Sequence, residues 1–194
     1  MPTPSSCTCN CPGNPAVDLP RRRVIGIAAA GLAAPLVRAA APSLPQAGDL
    51  LVEEDAEGAP TPLRVTDIAV GKPLLAFPWD PAGAKARDGT RLNKIVLMRF
   101  AEADLNAASR QRAAGGVLAF SAICTHQGCD VKTWLSKEKQ LVCFCHSSKF
   151  ALLDGGSVTS GPANRPLPAI PLALDGDRLV IAGAFTAPPG GNPA

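Results

Sequence analysis

Two short boxes hold nearly all the chemistry this sequence can perform. The first is Cys124-Thr125-His126-Gln127-Gly128-Cys129, the second is Cys143-Phe144-Cys145-His146-Ser147-Ser148, and thirteen residues separate them. The chain has seven cysteines and two histidines, and both histidines lie in these boxes. Cysteine and histidine at this density point to metal. Thiolates are soft, anionic ligands and imidazoles are neutral ones. One Cys and one His from each box would make a mixed ligand set for a [2Fe–2S] cluster, with thiolates on one iron and imidazoles on the other. Taking two negative charges out of the ligand set stabilises the reduced state. Potentials of such clusters run from about −150 to +300 mV, against about −400 mV for the all-cysteine plant type. Two cysteines of the boxes are then left over. In an oxidising compartment a neighbouring pair would form a disulfide, which would tie the two loops together at the cluster.

Structural zinc and plain disulfides are the competing explanations. Zinc sites usually pair C-x2–4-C with H-x3–5-H. Here His126 follows Cys124 by two positions and His146 follows Cys143 by three, and the six candidate ligands exceed what one four-coordinate zinc needs. Two separate disulfides would leave both histidines idle.

At every defined position the boxes match C-x-H-x-G-C followed by C-x-C-H-x-S. On these residues the chain resembles the Rieske [2Fe–2S] family. The likeness is to its disulfide-bearing type, as in the Rieske subunit of cytochrome bc complexes and the small subunit of arsenite oxidase. It covers about Val117 to Phe185 closely and the earlier strands loosely. The resemblance implies that Cys124 and Cys143 bind the inner iron and that His126 and His146 bind the outer iron near the surface. It implies a Cys129–Cys145 disulfide, a tight turn at Gly128, and a hydrogen bond from the Ser148 hydroxyl to a bridging sulfide. The stretch Gly161-Pro162-Ala163-Asn164-Arg165-Pro166 resembles the family's proline loop, which covers a third side of the cluster; a plain surface turn is the alternative. Two residues depart from the pattern. Asn164 stands where quinol-oxidising members often have proline, and Phe150 stands where high-potential members usually have tyrosine. Without a hydroxyl to donate to a ligand sulfur, a potential below that of the tyrosine-bearing relatives is expected.

The elements that must position these boxes read as short strands. Hydrophobic residues make up 46% of the chain, enough for a core, and twenty prolines and eighteen glycines favour a loop-rich, stranded fold. Strands are expected at 63–70, 74–77, 95–100, 117–123, 141–144, 150–153, 157–159, 170–174 and 178–182, the last two joined by the hairpin signal Asp175-Gly176-Asp177. Val117–Ile123 feeds into Cys124, and Leu141–Phe144 feeds into Cys145 and His146. Residues 101–114 contain many helix formers and predict a short helix stopped by Gly115-Gly116. Trp134, between the boxes, is expected to pack in the ordinary way. The pattern suggests an all-β sandwich or barrel. The resemblance narrows this to an antiparallel β-sandwich with a small cluster-binding subdomain, over residues 63–186. Residues 42–62, rich in Pro, Ala and acid, read as a linker, and 187–194 as a loose tail.

The N-terminal segment, 1–41, reads as an address. Arg21-Arg22-Arg23-Val24-Ile25 resembles a twin-arginine export signal, although Pro20 and Gly26 depart from its usual pattern. The apolar run that follows, residues 24–37, is 14 long, short of the roughly 17–25 residues of a membrane span. Ala39-Ala40-Ala41 offers small residues for cleavage; removal or retention as an anchor are both open. A buried or amphipathic N-terminal helix is the alternative. Cys7, Cys9 and Cys11 precede the arginines and read as part of a dispensable leader. The twin-arginine route carries folded proteins, which suits a cluster inserted before export.

A net charge of +3 with 4% aromatic residues and no tyrosine gives no reason to expect nucleic acid as a partner. Three electron-transfer roles remain. One is the iron–sulfur subunit of a quinol–cytochrome c reductase-like complex, with cytochrome b- and c-type partners and quinol as a candidate substrate. The second is the small subunit of a periplasmic molybdenum oxidase, partnered by a molybdopterin subunit. The third is a free-standing periplasmic carrier. No residue of the chain is expected to be catalytic on its own. A ring-dioxygenase ferredoxin or oxygenase fits less well, because such proteins generally lack the disulfide cysteines and no histidine remains for a mononuclear iron.

Overall fold

The computed structural model describes residues 43–55 and 58–191. The signal reading of residues 1–41, with Cys7, Cys9 and Cys11, lies outside the described residues. Among the described residues, no helix is long and apolar enough to cross a membrane.

Among the described residues twelve strands form two antiparallel sheets: β1 (Leu50–Glu53), β2 (Pro73–Asp80), β3 (Lys85–Ala86), β4 (Ile95–Arg99), β5 (Val117–Ser121), β6 (Thr133–Leu135), β7 (Gln140–Cys143), β8 (Ser148–Ala151), β9 (Ser157–Ser160), β10 (Ala169–Ile170), β11 (Leu172–Asp175) and β12 (Arg178–Ile181). The larger sheet runs β10-β5-β4-β2-β1-β12-β11, with β3 against β2, and the smaller runs β6-β7-β8-β9. Strands β10 and β11 stand at opposite ends of the larger order, yet only Pro171 separates them in sequence. The sheet therefore curls until its ends nearly meet, which removes most of its open edge. The expectation of an all-β antiparallel fold with a small cluster-binding unit is met.

Strands β4 and β5 explain how the two layers join. Their sequences, Ile-Val-Leu-Met-Arg and Val-Leu-Ala-Phe-Ser, are continuously apolar rather than alternating, and all but Arg99 are buried. That is the signature of a strand covered on both faces. One face, with Ile95, Leu97, Val117 and Ala119, joins Leu51, Ala76, Leu179 and Ile181 inside the curled sheet. The other, with Val96, Met98, Leu118 and Phe120, packs on Leu141, Cys143, Phe150 and Leu152 of the smaller unit.

Three sequence expectations are corrected. The linker reading of 42–62 fails at its centre, because β1 lies between β2 and β12 with Leu50, Leu51 and Val52 buried. Its flank is held by Asp49, which takes a two-toothed ion pair from Arg87 (Nε–Oδ2 2.6 Å, Nη2–Oδ1 2.9 Å). The predicted helix over 101–114 is reduced to a 3-10 turn, Glu102–Asp104, and one α-helical turn, α1 (Ala107–Arg110). The segment has no apolar stripe at helical spacing, so packing cannot sustain a longer helix. Instead the Asn106 side chain accepts from the Ser109 N–H at 2.8 Å, and Asn106 Nδ2 and Ser109 Oγ both donate to the Leu153 carbonyl. The tail reading of 187–194 also fails in its described part: Gly190 is buried, against Leu92 and Ile123. Residues 192–194 lie outside the described residues. Trp134 packs as expected, edge-on to Phe100 with centroids 5.7 Å apart.

Candidate metal centre

Each box occupies a turn whose shape its own sequence dictates. The first leaves β5 through Ala122-Ile123 and closes on itself: the Cys124 N–H donates to the Cys129 carbonyl at 2.7 Å, and the Gly128 N–H donates to the Cys124 carbonyl at 3.0 Å. Gly128 sits at φ 74°, a conformation that costs a residue with a Cβ about 1–2 kcal/mol. The loop then returns to the sheet through Val131, whose N–H donates to the Ala122 carbonyl at 2.7 Å. The second box is the hairpin turn between β7 and β8, where Cys143 pairs with Ser148 and Ser147 takes the left-handed conformation at φ 60°.

The two turns meet. Cys129 and Cys145 form a disulfide, as the resemblance implies. Cys124 and Cys143 are free thiols, 2% and 1% exposed, and neighbour each other. Burial pushes the Cys124 thiol above its ordinary pKa, and the neighbouring Cys143 pushes it the same way; the backbone N–H groups of His126 and Gln127 oppose the rise. A bare thiolate at Cys124 is disfavoured in such a place, whereas a cationic iron would compensate its charge. The imidazoles converge as well. His126 Nδ1 and His146 Nδ1 lie 3.2 Å apart with the rings perpendicular and the centroids 4.7 Å apart. His126 is half-buried and His146 exposed.

The donor set thus has a buried sulfur end and a more exposed nitrogen end, which fits a two-iron cluster with unlike irons. Cys129, Cys143 and Cys145 also gather their sulfurs within 4.8 Å. Two of those sulfurs are bonded to each other and have no thiolate to offer, so the set Cys124, His126, Cys143 and His146 is the better fit.

A family model of the Rieske [2Fe-2S] domain matches residues 88–171. The chain is 33% identical over 137 residues to the cytochrome bc1 complex Rieske iron-sulfur subunit of Streptomyces lividans, covering 66% of this chain and 78% of that protein. The chain belongs to the Rieske [2Fe–2S] family. It is also 34% identical over 129 residues to the Rieske subunit assigned to a respiratory nitrate reductase in Haloferax mediterranei, over 64% of this chain and 55% of that protein. To the cytochrome bc1 complex Rieske subunit of Corynebacterium diphtheriae it is 35% identical over 104 residues, over 50% of this chain and 26% of that protein. The match thus spans about half of the Haloferax protein's length and about a quarter of the Corynebacterium protein's. Among solved structures, the soluble domain of Rieske protein II from Sulfolobus acidocaldarius shares 28% identity at a TM-score of 0.38, over 48% of this chain and 65% of that one.

The cofactor of a Rieske domain is a [2Fe–2S] cluster, and further residues of this one are arranged around the two boxes. Ser148 is fully buried and its Oγ accepts from the Ala163 N–H at 3.1 Å, leaving the hydroxyl proton free to donate. Thr125, 1% exposed, donates its hydroxyl to the Arg165 carbonyl at 2.7 Å. Together these bonds dock Gly161–Pro166 onto both boxes, so the stretch is more than a surface turn. Gly161 makes the close approach possible: at φ 89°, a Cβ there would lie 2.5 Å from Ser148 Cα and 2.7 Å from its nitrogen. Asn164 is exposed, and Phe150 is completely buried. Sequence reasoning missed two supports. Asp130, beside the disulfide, pairs with Lys94 at 3.0 Å and with Arg91, and Lys94 also reaches Glu54. The segment 187–191 lies against the His126 backbone. Neither contact is local in sequence, so no spacing marks it.

Proposed function

We propose that this Rieske chain passes single electrons as the iron–sulfur subunit of a quinol–cytochrome c reductase-like respiratory complex. Cys124 and Cys143 hold the buried end of its cluster and His126 and His146 the exposed end. The observation that carries the reading is the convergence of the two imidazoles at 3.2 Å, on the same two turns that carry two buried, neighbouring thiols. The bound cluster supplies a one-electron centre at a potential lifted by its neutral ligands. Ser148 offers a free proton to a sulfur, the disulfide fixes the distance between the boxes, and Gly161–Pro166 keeps water from the flank between them. His146 and the 73% exposed Phe144 present the nitrogen end to a partner. The bc1 subunits among the relatives favour cytochrome b- and c-type partners, with quinol as the donor.

Export by the twin-arginine route belongs to the same proposal. Arg21-Arg22-Arg23-Val24-Ile25 supports it, and so does the Cys129–Cys145 disulfide, since such bonds persist in oxidising compartments. The protein would then work on the periplasmic side, soluble or anchored to the inner membrane. A second reading has one observation in its favour: the Haloferax relative is assigned to a nitrate reductase, which keeps a molybdopterin subunit among the candidate partners.

Purification of the protein from its native membrane and periplasmic fractions tests both. A rhombic Rieske resonance in a fraction containing b-type haem, reduced on addition of quinol, is the expected result. The same resonance in a fraction with molybdopterin and no b haem would shift the assignment to the second reading. Absence of the resonance from iron-replete protein would overturn the ligand assignment. Lysine substitutions at Arg21 and Arg22 should hold the protein in the cytoplasm; normal export of that variant would remove the twin-arginine reading.

A further inference from the structure

The segment Ala187–Gly191 folds back onto the first box, and nothing in the ligand set explains why. Gly190 is buried at φ 88°, close enough to Leu92 that a Cβ would meet its side chain at 3.1 Å. A Cβ on Gly191 would lie 2.6 Å from the His126 carbonyl oxygen and 3.2 Å from its carbon. Only a residue without a side chain lets these two backbones touch. Arg165 holds the segment from the other side. Its guanidinium donates through Nη2 to the Gly190 carbonyl, and its own carbonyl accepts the Thr125 hydroxyl. Thr125, Arg165, Gly190, Gly191 and His126 therefore close a ring of contacts around the peptide that carries the His126 imidazole. Arg165 Nε is buried with no partner among the described residues. An arginine kept only for surface charge would turn that group to water, so its place is set by the contacts it makes.

We propose that Arg165 is a positioning residue for the cluster: by holding residues 188–191 against the first box, it fixes the orientation of the His126 imidazole at the outer iron. This rests on the reading of His126 as a ligand. The two histidines share the Cys129–Cys145 disulfide but differ in their further supports. His146 sits on a hairpin turn fixed by the adjacent disulfide and by the Ser148–Ala163 bond. His126 sits on a loop that the disulfide reaches through Cys129 and that the strap and Thr125 hold in addition. Partners outside the first shell orient a metal-bound imidazole and tune its basicity, so loosening the strap acts on the nitrogen end of the cluster alone.

The test uses the full chain with its cluster, in the variants Arg165→Gln, Arg165→Lys and Gly191→Ala. Loss of one charge-assisted bond should raise amide exchange at residues 126–128 roughly tenfold or more, with exchange in β4 and β5 unchanged. Arg165→Gln and Gly191→Ala should shift the electron paramagnetic resonance g-values and the midpoint potential in the same direction, and Arg165→Lys should keep part of the native position. Faster exchange without a change in g-values or potential would make the strap merely structural and overturn the proposal. So would unchanged exchange, or an effect of Gly191→Ala that Arg165→Gln does not share. If the unsubstituted protein gives no Rieske resonance, the ligand reading itself has failed, and the exchange data separately show whether the clamp exists.

Discussion

Phe150→Tyr is the most informative single change in this protein. Strand register pairs Leu141 with Phe150 and Cys143 with Ser148, which places all four side chains on one face of the β7–β8 pair. Phe150 is fully buried there and packs in the same cluster as Cys124 and Cys143. A new hydroxyl at this position cannot reach bulk water. It either donates to a ligand sulfur or is left without a partner, which costs about 1–3 kcal/mol of stability. A donor to sulfur strengthens on reduction, because the added electron makes the acceptor more negative. If that gain is about 1 kcal/mol, the potential rises by about 40 mV, on the one-electron scale where a tenfold change in equilibrium is about 59 mV. The assay is a potentiometric titration followed by electron paramagnetic resonance, with thermal unfolding of the same sample. The expected result is a raised potential with little loss of stability. An unchanged or lowered potential, with native g-values, would refute the argument that the missing hydroxyl sets this protein below its tyrosine-bearing relatives.

Three other changes probe the frame around the site. Gly161→Ala would force a Cβ into the Ser148 backbone at positive φ; backbone strain of about 1–2 kcal/mol and one lost hydrogen bond of about 1 kcal/mol should lower urea stability by about 2–3 kcal/mol, and a loss too small to measure would mean that the loop relaxes freely. Asp49→Ala would leave the mostly buried Arg87, whose pKa the Asp49 hydrogen bond raises, with Asp80 at 3.6 Å as its remaining carboxylate; losing two charge-assisted hydrogen bonds should cost about 1–3 kcal/mol, readable by calorimetry, and near-native stability would show that Asp80 and water replace them. Burial alone would raise the Asp130 carboxyl, but its bonds to Lys94 and Arg91 hold it below the ordinary range. A carboxyl depressed in the folded state adds stability above about pH 4 that is lost as the pH falls through its folded value. Asp130→Asn should therefore lower stability at neutral pH and flatten its decline below about pH 5; a variant curve parallel to the native one would rule out this linkage.

The strands that could be read from sequence were those with a long apolar run ended by a turn residue: β4 between Lys94 and Phe100, β5 after Gly115-Gly116, and the β11–β12 hairpin at Asp175-Gly176-Asp177. Strand β1 was hidden because its apolar run is only Leu50-Leu51-Val52, set between Asp49 and an acidic trio. What makes it a strand is its pairing with β2 and β12, whose nearest residues are 20 or more positions away. The helix over 101–114 was overestimated for the opposite reason. Its propensities are favourable residue by residue, but Asn106 and Ser109 find better partners in the Leu153 carbonyl, and only Leu105 is deeply buried in the first half.

The candidate site shows the same division at closer range. Ligand chemistry is constrained locally: a thiol and an imidazole must sit two or three residues apart to reach one cofactor from one turn, so both boxes were legible and the Cys129–Cys145 disulfide followed from their likeness to the family. The supports are not local. Arg165 reaches Gly190 across 25 residues, Lys94 reaches Asp130 across 36, and Thr125 reaches Arg165 across 40. No spacing rule links such pairs, and each becomes visible only when β5, the proline loop and the last described segment are brought to the same end of the fold. The boxes determine what the site can bind. The distant contacts determine how firmly each histidine is held: the disulfide and the Gly161–Pro166 stretch brace both turns, and the segment 187–191 adds a further contact at His126.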